Sequence, residues 1–543
     1  MVGAFRLPAG STTTPPVGPT ATPWVRPADW LAMPTPGTQE VIGLLAIFDD
    51  ANYIALQCQA AYTVDWGDGT TTNYASNAVA SKTYTYSSIP AGTTTSRGYR
   101  QVLVRITPQA GQNLTSVAFN VQHPSFAKPY TTGWLDFDVR MPNGTPFWNG
   151  HTNTVRYHRI ERVVVRDIVA GSLMGNMFNT MTNLQSVYVE PNKTATSTNY
   201  NGMFTNCFVL EEAPFMNTAA GTSFVSMFAQ CYNLKVVPQY NFQNATSFDT
   251  MFGVCRSLES IPLFNIGNGP NINMGSMFNE CSDLKTVPLL NMAGVTNTNS
   301  MFSNCRSLQS IPLLNTGNST NTGAMFNSCQ SLSSIPLLNT AKSTNMNNMF
   351  GSCQSLQTIP LLDTGKCLNF NSMFSSCQAL ENIPLINTEL GTDFASMFFG
   401  CSSFRDIPLL NTGSASNFSS MFNGCNQLQS IPTFNSSKVS NWVSTFSNCL
   451  ALRELPALNM TAGTNFTSFL NGNVSLGRSN GFGARFAHSY TNMALSQSEI
   501  VNIFTNLGTA SGTQAITVSV NPGRAALTAG EIAIATGKGW TVV

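Results

Sequence analysis

Apolar residues return along this chain in three rhythms, and each rhythm predicts a different kind of element. Between Val41 and Pro108 they alternate with polar ones. Tyr62–Trp66, Lys82–Tyr86 and Tyr99–Thr107 all read with a period of two, and Val41–Phe48 is a strand-length apolar run. That period predicts short strands with one face turned inward. From Met177 onward the rhythm lengthens. Met-Phe pairs stand at 177, 203, 227, 251, 277, 301, 325, 349, 373, 397 and 421, then decay to Thr445-Phe446. After residue 469 the spacing shortens to that of a helix. Ile500, Ile503, Phe504 and Leu507 share one face, opened by Ser496 and Glu499 as a capping box. A strand Gln514–Val520, a second capping box Thr528–Glu531 and a strand Trp540–Val543 complete that unit.

The middle rhythm is the dominant one. A clean copy runs SMFSNCRSLQSIPLLNTGNSTNTG from Ser300 to Gly323. Cysteines keep time with it at 207, 231, 255, 281, 305, 329, 353, 377, 401, 425 and 449, each interval 24 residues except Cys255–Cys281, which is 26. A fixed period of this length, with apolar residues in fixed slots, is the signature of a solenoid. The count predicts twelve coils and a stack roughly 58 Å long at ~4.8 Å per coil. Met301, Phe302 and Cys305 fit one face of a short helical turn, and Leu308, Ile311 and the Leu313/Leu314 pair lead through a strand. Pro288, Pro312, Pro336, Pro360, Pro384, Pro408 and Pro432 each remove a ladder donor, so those strands should be very short and interrupted at the proline. Asn or Asp follows in a fixed slot (Asn315, Asn339, Asp363), a structural ladder able to satisfy turn backbone.

Composition narrows the function classes. Only 9% of the 543 residues are charged and the net charge is +1, so there is no basic field for nucleic acid or for an anionic membrane. No apolar run is long enough to cross a membrane as a helix. The first twenty residues lack the apolar core of a secretory signal, which predicts a route to the surface other than the usual one. Thirteen cysteines, one per coil in the repeats, do not form a small disulfide framework. They read as small buried hydrophobes. His123, His151, His158 and His488 are scattered, and no metal-ligand, nucleophile-elbow or phosphate-loop spacing occurs. No cofactor or metal is expected.

The expected organisation has five parts: a Pro/Thr-rich docking arm (1–40), a β-sandwich (41–108), a β-rich N-terminal cap of the solenoid (109–176), the solenoid (177–468) and a small α/β C-terminal cap (469–543). Eight prolines precede Gly37, and the arm is read as extended, held against a partner through Trp24 and Trp30. Asp65 and Asp68 flank a turn whose glycines favour positive φ, and they read as turn-forming residues rather than calcium ligands.

Two resemblances follow from these residues. VDWGDGT, then a TYTY strand and a VLVRIT strand, resembles the polycystic-kidney-disease (PKD) type of immunoglobulin-like sandwich, which implies a spacer or adhesion module. MFxxCxxLxxIPLLNT over about 300 residues resembles the BspA-type leucine-rich repeat surface proteins, and similar repeats occur in bacteriophage tail and fibre proteins. The resemblance implies a mainly β protein without enzymatic activity that attaches to cells or matrix. The expectation is therefore a structural bacteriophage virion protein, a tail fibre, tail-tip or other exposed adhesin. It would be present in several copies, docked by its arm on other virion proteins and meeting a host glycan or protein through positions that vary between coils, such as Arg306, Gln330, Arg405 and Asp406. Alternatives are a bacterial surface adhesin exported without a standard signal, a capsid decoration protein, and a polysaccharide-degrading tail enzyme.

Overall fold

In the computed structural model, residues 23–49, 52–119, 121–125, 133–147, 159–169 and 174–543 are described. Four of the first six strands lie on the period-two text: β1 (Glu40–Ile47), β3 (Tyr62–Asp65), β5 (Val79–Tyr84, earlier than the expected Lys82–Tyr86) and β6 (Arg100–Pro108); β2 (Asn52–Cys58) and β4 (Thr71–Tyr74) are not foreseen by it. They are joined by β7 (Ser116–Ala118), β8 (Trp134–Met141), β9 (Thr145–Phe147), β10 (Arg162–Ile168) and β11 (Ser186–Val189). One sheet has the order β11-β10-β8-β1-β6-β3-β4 and the other β5-β2-β7-β9. Side chains of both sheets, among them Val64, Trp66, Ile54 and Phe137, share one core. The turn after β3 bears out the glycine reading. Gly67 sits at φ 72°, where a Cβ would press on the Leu103 carbonyl oxygen at 2.5 Å.

The sheets cross the expected boundary at residue 108. β8 pairs antiparallel with β1 on one side and parallel with β10 on the other, and β10 pairs parallel with β11. The larger sheet therefore turns from antiparallel to parallel within itself, and its parallel half is already the start of the stack.

From there the chain climbs by parallel bridges between equivalent residues, Asn297↔Asn321↔Asn345↔Asn369 and onward to Asn465. The ascent does not end at the last Met-Phe slot. Glu454–Leu455 pairs parallel with Arg478–Ser479, and His488–Ser489, Gln514–Thr517 and Trp540–Val542 form a parallel three-stranded sheet. The solenoid thus has about sixteen turns, not twelve. The extra turns no longer spell the repeat, so counting Met-Phe pairs missed them. In the last ones the helices Gln497–Asn506 and Ala529–Thr536 take the place of the Met-Phe turn.

Three local expectations change. The Met-Phe-x-x-Cys segment is not a helical turn. Met301, Ser303 and Cys305 donate backbone N–H groups three residues back within the coil, all at 3.1 Å, to Thr298, Ser300 and Phe302. Ser300, Phe302 and Asn304 donate instead to Gly323, Met325 and Asn327 of the next coil, at 2.9, 2.9 and 2.7 Å. Ser300 and Asn304 adopt φ of 55° and 62° to sustain this alternation. Half the donors a helix would use internally stitch coils together. Second, Ser496 caps its helix alone, because the Glu499 carboxylate turns to Arg478 at 3.6 Å. Thr528 and Glu531 form the complete box. Third, the strand from Gln514 ends at Thr517, with Val520 exposed at φ 60°.

The prolines interrupt more than expected. Ile311–Leu314 and its equivalents through the middle coils carry no strand, where the sequence predicts very short ones. The 26-residue coil between Cys255 and Cys281 keeps its interior register: Phe252 and Phe278 stack at 5.6 Å, like their neighbours, while Asn268–Asn271 bulge outward and are exposed.

Candidate recognition surface

Each coil divides its slots between interior and exterior in the same way. Phenylalanines stack from Phe178 through Phe446, with centroids 5.1–5.8 Å apart and planes within 17° of parallel. The eleven ladder cysteines lie beside them, and all thirteen cysteines of the chain are free and buried. The Cys329 thiol donates to the Phe302 carbonyl at 3.1 Å and Cys353 to Phe326 at 3.1 Å, a pattern kept along the ladder. Burial pushes these thiols up, Cys353 and Cys401 to about 12, so no nucleophilic thiolate is available near neutral pH. A row of buried hydroxyls does the same work on the other wall: Thr316, Thr340 and Thr364 donate to the Asn339, Asp363 and Asn387 carbonyls at 2.7, 2.7 and 2.5 Å. The Asn ladder closes turns as foreseen, with Asp363 Oδ1 accepting from the Gly365 N–H at 3.1 Å. A second row (Asn321, Asn345, Asn369) behaves likewise.

What varies from coil to coil faces outward. The slot after each cysteine reads Arg306, Gln330, Gln354, Gln378, and the slots three and two before the proline read Gln309-Ser310, Ser333-Ser334, Gln357-Thr358, Glu381-Asn382, Arg405-Asp406. Arg306, Arg405 and Asp406 are exposed and Gln330 is half-buried. Arg306 and Gln330 are neighbours in one row. Arg405 and Asp406 belong to another, four coils along, roughly 20 Å away at ~4.8 Å per coil. The four do not converge on one patch.

The two tryptophans part company. Trp30 is buried against Leu44, Ala46, Tyr99 and Leu135, and its indole N–H donates to the Tyr99 hydroxyl at 2.8 Å. It is an anchor, but to the chain's own sheet. Arg26 reinforces it by pairing with Asp136 at 2.9 Å and bonding the Leu31 carbonyl at 2.6 Å. Asp29 accepts from the Ser96 hydroxyl and N–H, which hold its carboxyl below the usual range. Trp24 stays half-exposed beside a cleft of about 630 Å³ lined by Arg97, Glu161, Asn183, Gln185, Glu211 and Asn233. The arm's residues 1–22 lie outside the described ones, as do His151 and His158.

The sequence reading also missed a feature. Of each Leu-Leu pair, the second residue is buried and the first is not. Leu263, Leu289, Leu313, Leu337, Leu361, Leu385 and Leu409 are 54–62% exposed in seven consecutive coils. The signal was present: adjacent residues on an extended segment point to opposite sides. Among the described residues no group of three or more His, Cys, Asp or Glu comes together as a metal site, and no helix is long and apolar enough to cross a membrane.

No curated protein matches the sequence. Among solved structures the chain is similar to a leucine-rich repeat protein from Eubacterium ventriosum, at 14% identity over 64% of this chain and 91% of that one, TM-score 0.35. It is also similar to the plant peptide hormone receptor RGFR1 in complex with RGF2 (12% identity, 70% and 64% covered, TM-score 0.21). The TLR13–ssRNA13 complex is similar at 15% identity, with 68% and 51% covered and TM-score 0.21. The model of one family matches residues 169–266, 272–384 and 344–460, together more than half of the chain. With its repeats so matched, the chain belongs to the family described as Mycoplasma protein of unknown function, DUF285.

Proposed function

We propose that this chain is a non-enzymatic attachment protein of a bacteriophage particle, a BspA-type repeat scaffold that meets the host surface through its coil-to-coil variable rows. The observation that carries this reading is the division of labour within a coil. The interior slots repeat the same residues in bonded ladders, while Arg306, Gln330 and Arg405-Asp406 occupy slots that change and face outward. A scaffold that invests in a constant interior and a varied exterior suits recognition by many weak contacts summed along its length. The PKD-like reading of the N-terminal strands makes that region a spacer. The test has two arms. Mass spectrometry of purified particles should find the chain, and the purified chain should compete with particles for host cells. Absence from particles, or failure to compete at saturating concentration, overturns the reading.

A bacterial cell-surface adhesin is the second reading, favoured by the family's description as a Mycoplasma protein. Recovery of the chain from washed bacterial envelopes, with none in particles, would select it.

A further inference from the structure

Leu263 to Leu409 form an apolar stripe on the outside of seven successive coils. The fold does not require it. In the same slot and the same exposed turn, neighbouring coils carry Gln239, Thr433 and Ala457, so polar and small residues are accepted there. The stripe is also bounded. Gln239 interrupts it on one side, with Phe215 exposed in the same slot one coil beyond, and Thr433 ends it on the other. Rows of Asn and of Ser, Thr or Asn border it, with Asp363 and Asp406 charged among them and Glu259, Lys285, Glu381 and Arg405 one slot further out. An exposed apolar patch rimmed by polar residues marks an interface.

We infer that this stripe is the face through which two copies of the chain pair in a two-fold dimer. Three observations choose the occupant. The seven leucines are each 54–62% exposed, and six coil steps of ~4.8 Å make the stripe roughly 29 Å long. That is the linear dimension of a standard interface of ~800 Å² per partner. The stripe itself carries no charge, so it offers a charged partner no complement. Its spacing is set by the coil rise, and a partner that fills every gap between leucines must carry apolar side chains at the same spacing over seven coils. A second copy meets that condition by construction. In a two-fold pairing centred on the stripe, parallel or antiparallel, the middle residue Leu337 meets its own counterpart.

Sedimentation of the full chain from nanomolar to tens of micromolar concentration tests this, beside a triple variant with Leu313→Gln, Leu337→Gln and Leu361→Gln. The glutamine at Gln239 shows that the slot accepts this side chain, and an unchanged thermal melt verifies folding. The native chain should dimerise, and the variant should do so about a hundredfold more weakly. A native chain that stays monomeric throughout overturns the inference, as does a variant that associates equally well. Leu337→Cys introduces an exposed thiol into a chain whose own cysteines are buried. Mild oxidation should give a covalent dimer, and its absence under conditions where the native chain dimerises rules out the two-fold arrangement.

Discussion

The two halves of the molecule reach order by opposite means. In the N-terminal sheets almost every contact is unique. Asp136, wholly buried, holds Arg26 at 2.9 Å and Arg162 at 2.8 Å, and Asp138 grips Arg166 at 2.8 Å. Phe119, Trp134 and Phe137 meet at interplanar angles from 41° to 80°. In the coils most interior residues meet a copy of themselves, the rings of the Phe178–Phe446 row lie nearly parallel, and among the described residues no ion pair joins any two of residues 290–450. Unique contacts fix one arrangement. Translational contacts are satisfied by any whole-coil step, so the coils owe their register to the ends and to side chains that tolerate no half-step.

The largest effect that separates the two regimes is predicted for Phe350→Ala. It removes one ring from an unbroken stack and should cost about 4 kcal/mol in denaturant unfolding. Hydrogen exchange should show the loss concentrated in the flanking coils, since each contacts only its neighbours. A loss spread evenly to the N-terminal sheets would contradict the comparison. Asp136→Ala should cost about 3 kcal/mol, because two guanidinium groups lose the buried carboxylate that fixes them. Limited proteolysis should then cut near Arg26 while the coils stay protected.

The C-terminal turns add a pH handle that the Met-Phe coils lack. His488 is buried among Phe466, Tyr490 and Trp540, and burial holds its imidazole down to about 4, from an ordinary 6.5. Between those values the unfolded chain binds a proton that the folded one refuses. Stability is therefore full above about pH 6.5 and falls, by up to about 3 kcal/mol, as pH drops towards 4. Thermal melts across that window should show the slope, and His488→Phe should flatten it. The smallest effect is expected for Thr340→Val. It leaves the Asp363 carbonyl without its 2.7 Å donor and should cost about 1.5 kcal/mol by denaturant titration.

Much of this architecture can be read from the residues, but unevenly. The period-two segments place β1, β3 and β6 because one-sided burial writes itself into alternation. The 24-residue rhythm places the coils because an identical interior demands identical letters. The C-terminal turns escape the count because the helices Gln497–Asn506 and Ala529–Thr536 replace the Met-Phe segment and other residues, such as His488 and Trp540, fill the interior. The Met-Phe turn escapes because spacing alone cannot tell a helical donor from one aimed at the next coil. As to the recognition surface, the variable slots are legible as letters that change. That Arg306 and Arg405, one and four residues after their cysteines, lie in different rows follows from spacing. That Leu313 and Leu314 face opposite ways follows from adjacency, but which of them faces out depends on the path of the backbone around the proline.

The 26-residue coil between Cys255 and Cys281 carries a consequence for how such a molecule can change. It accommodates its two extra residues in the bulge at 268–271 without disturbing the Phe252–Phe278 step, so the outer edge accepts insertions while the axis keeps its pitch. Near-identical neighbouring units invite unequal exchange between copies of the coding sequence. Each event that adds or deletes one unit would move the C-terminal end by ~4.8 Å relative to the N-terminal sheets. The chain is in this sense a ruler with adjustable divisions: its length can drift in fixed increments, its edge can acquire decorations, and neither change needs a new core.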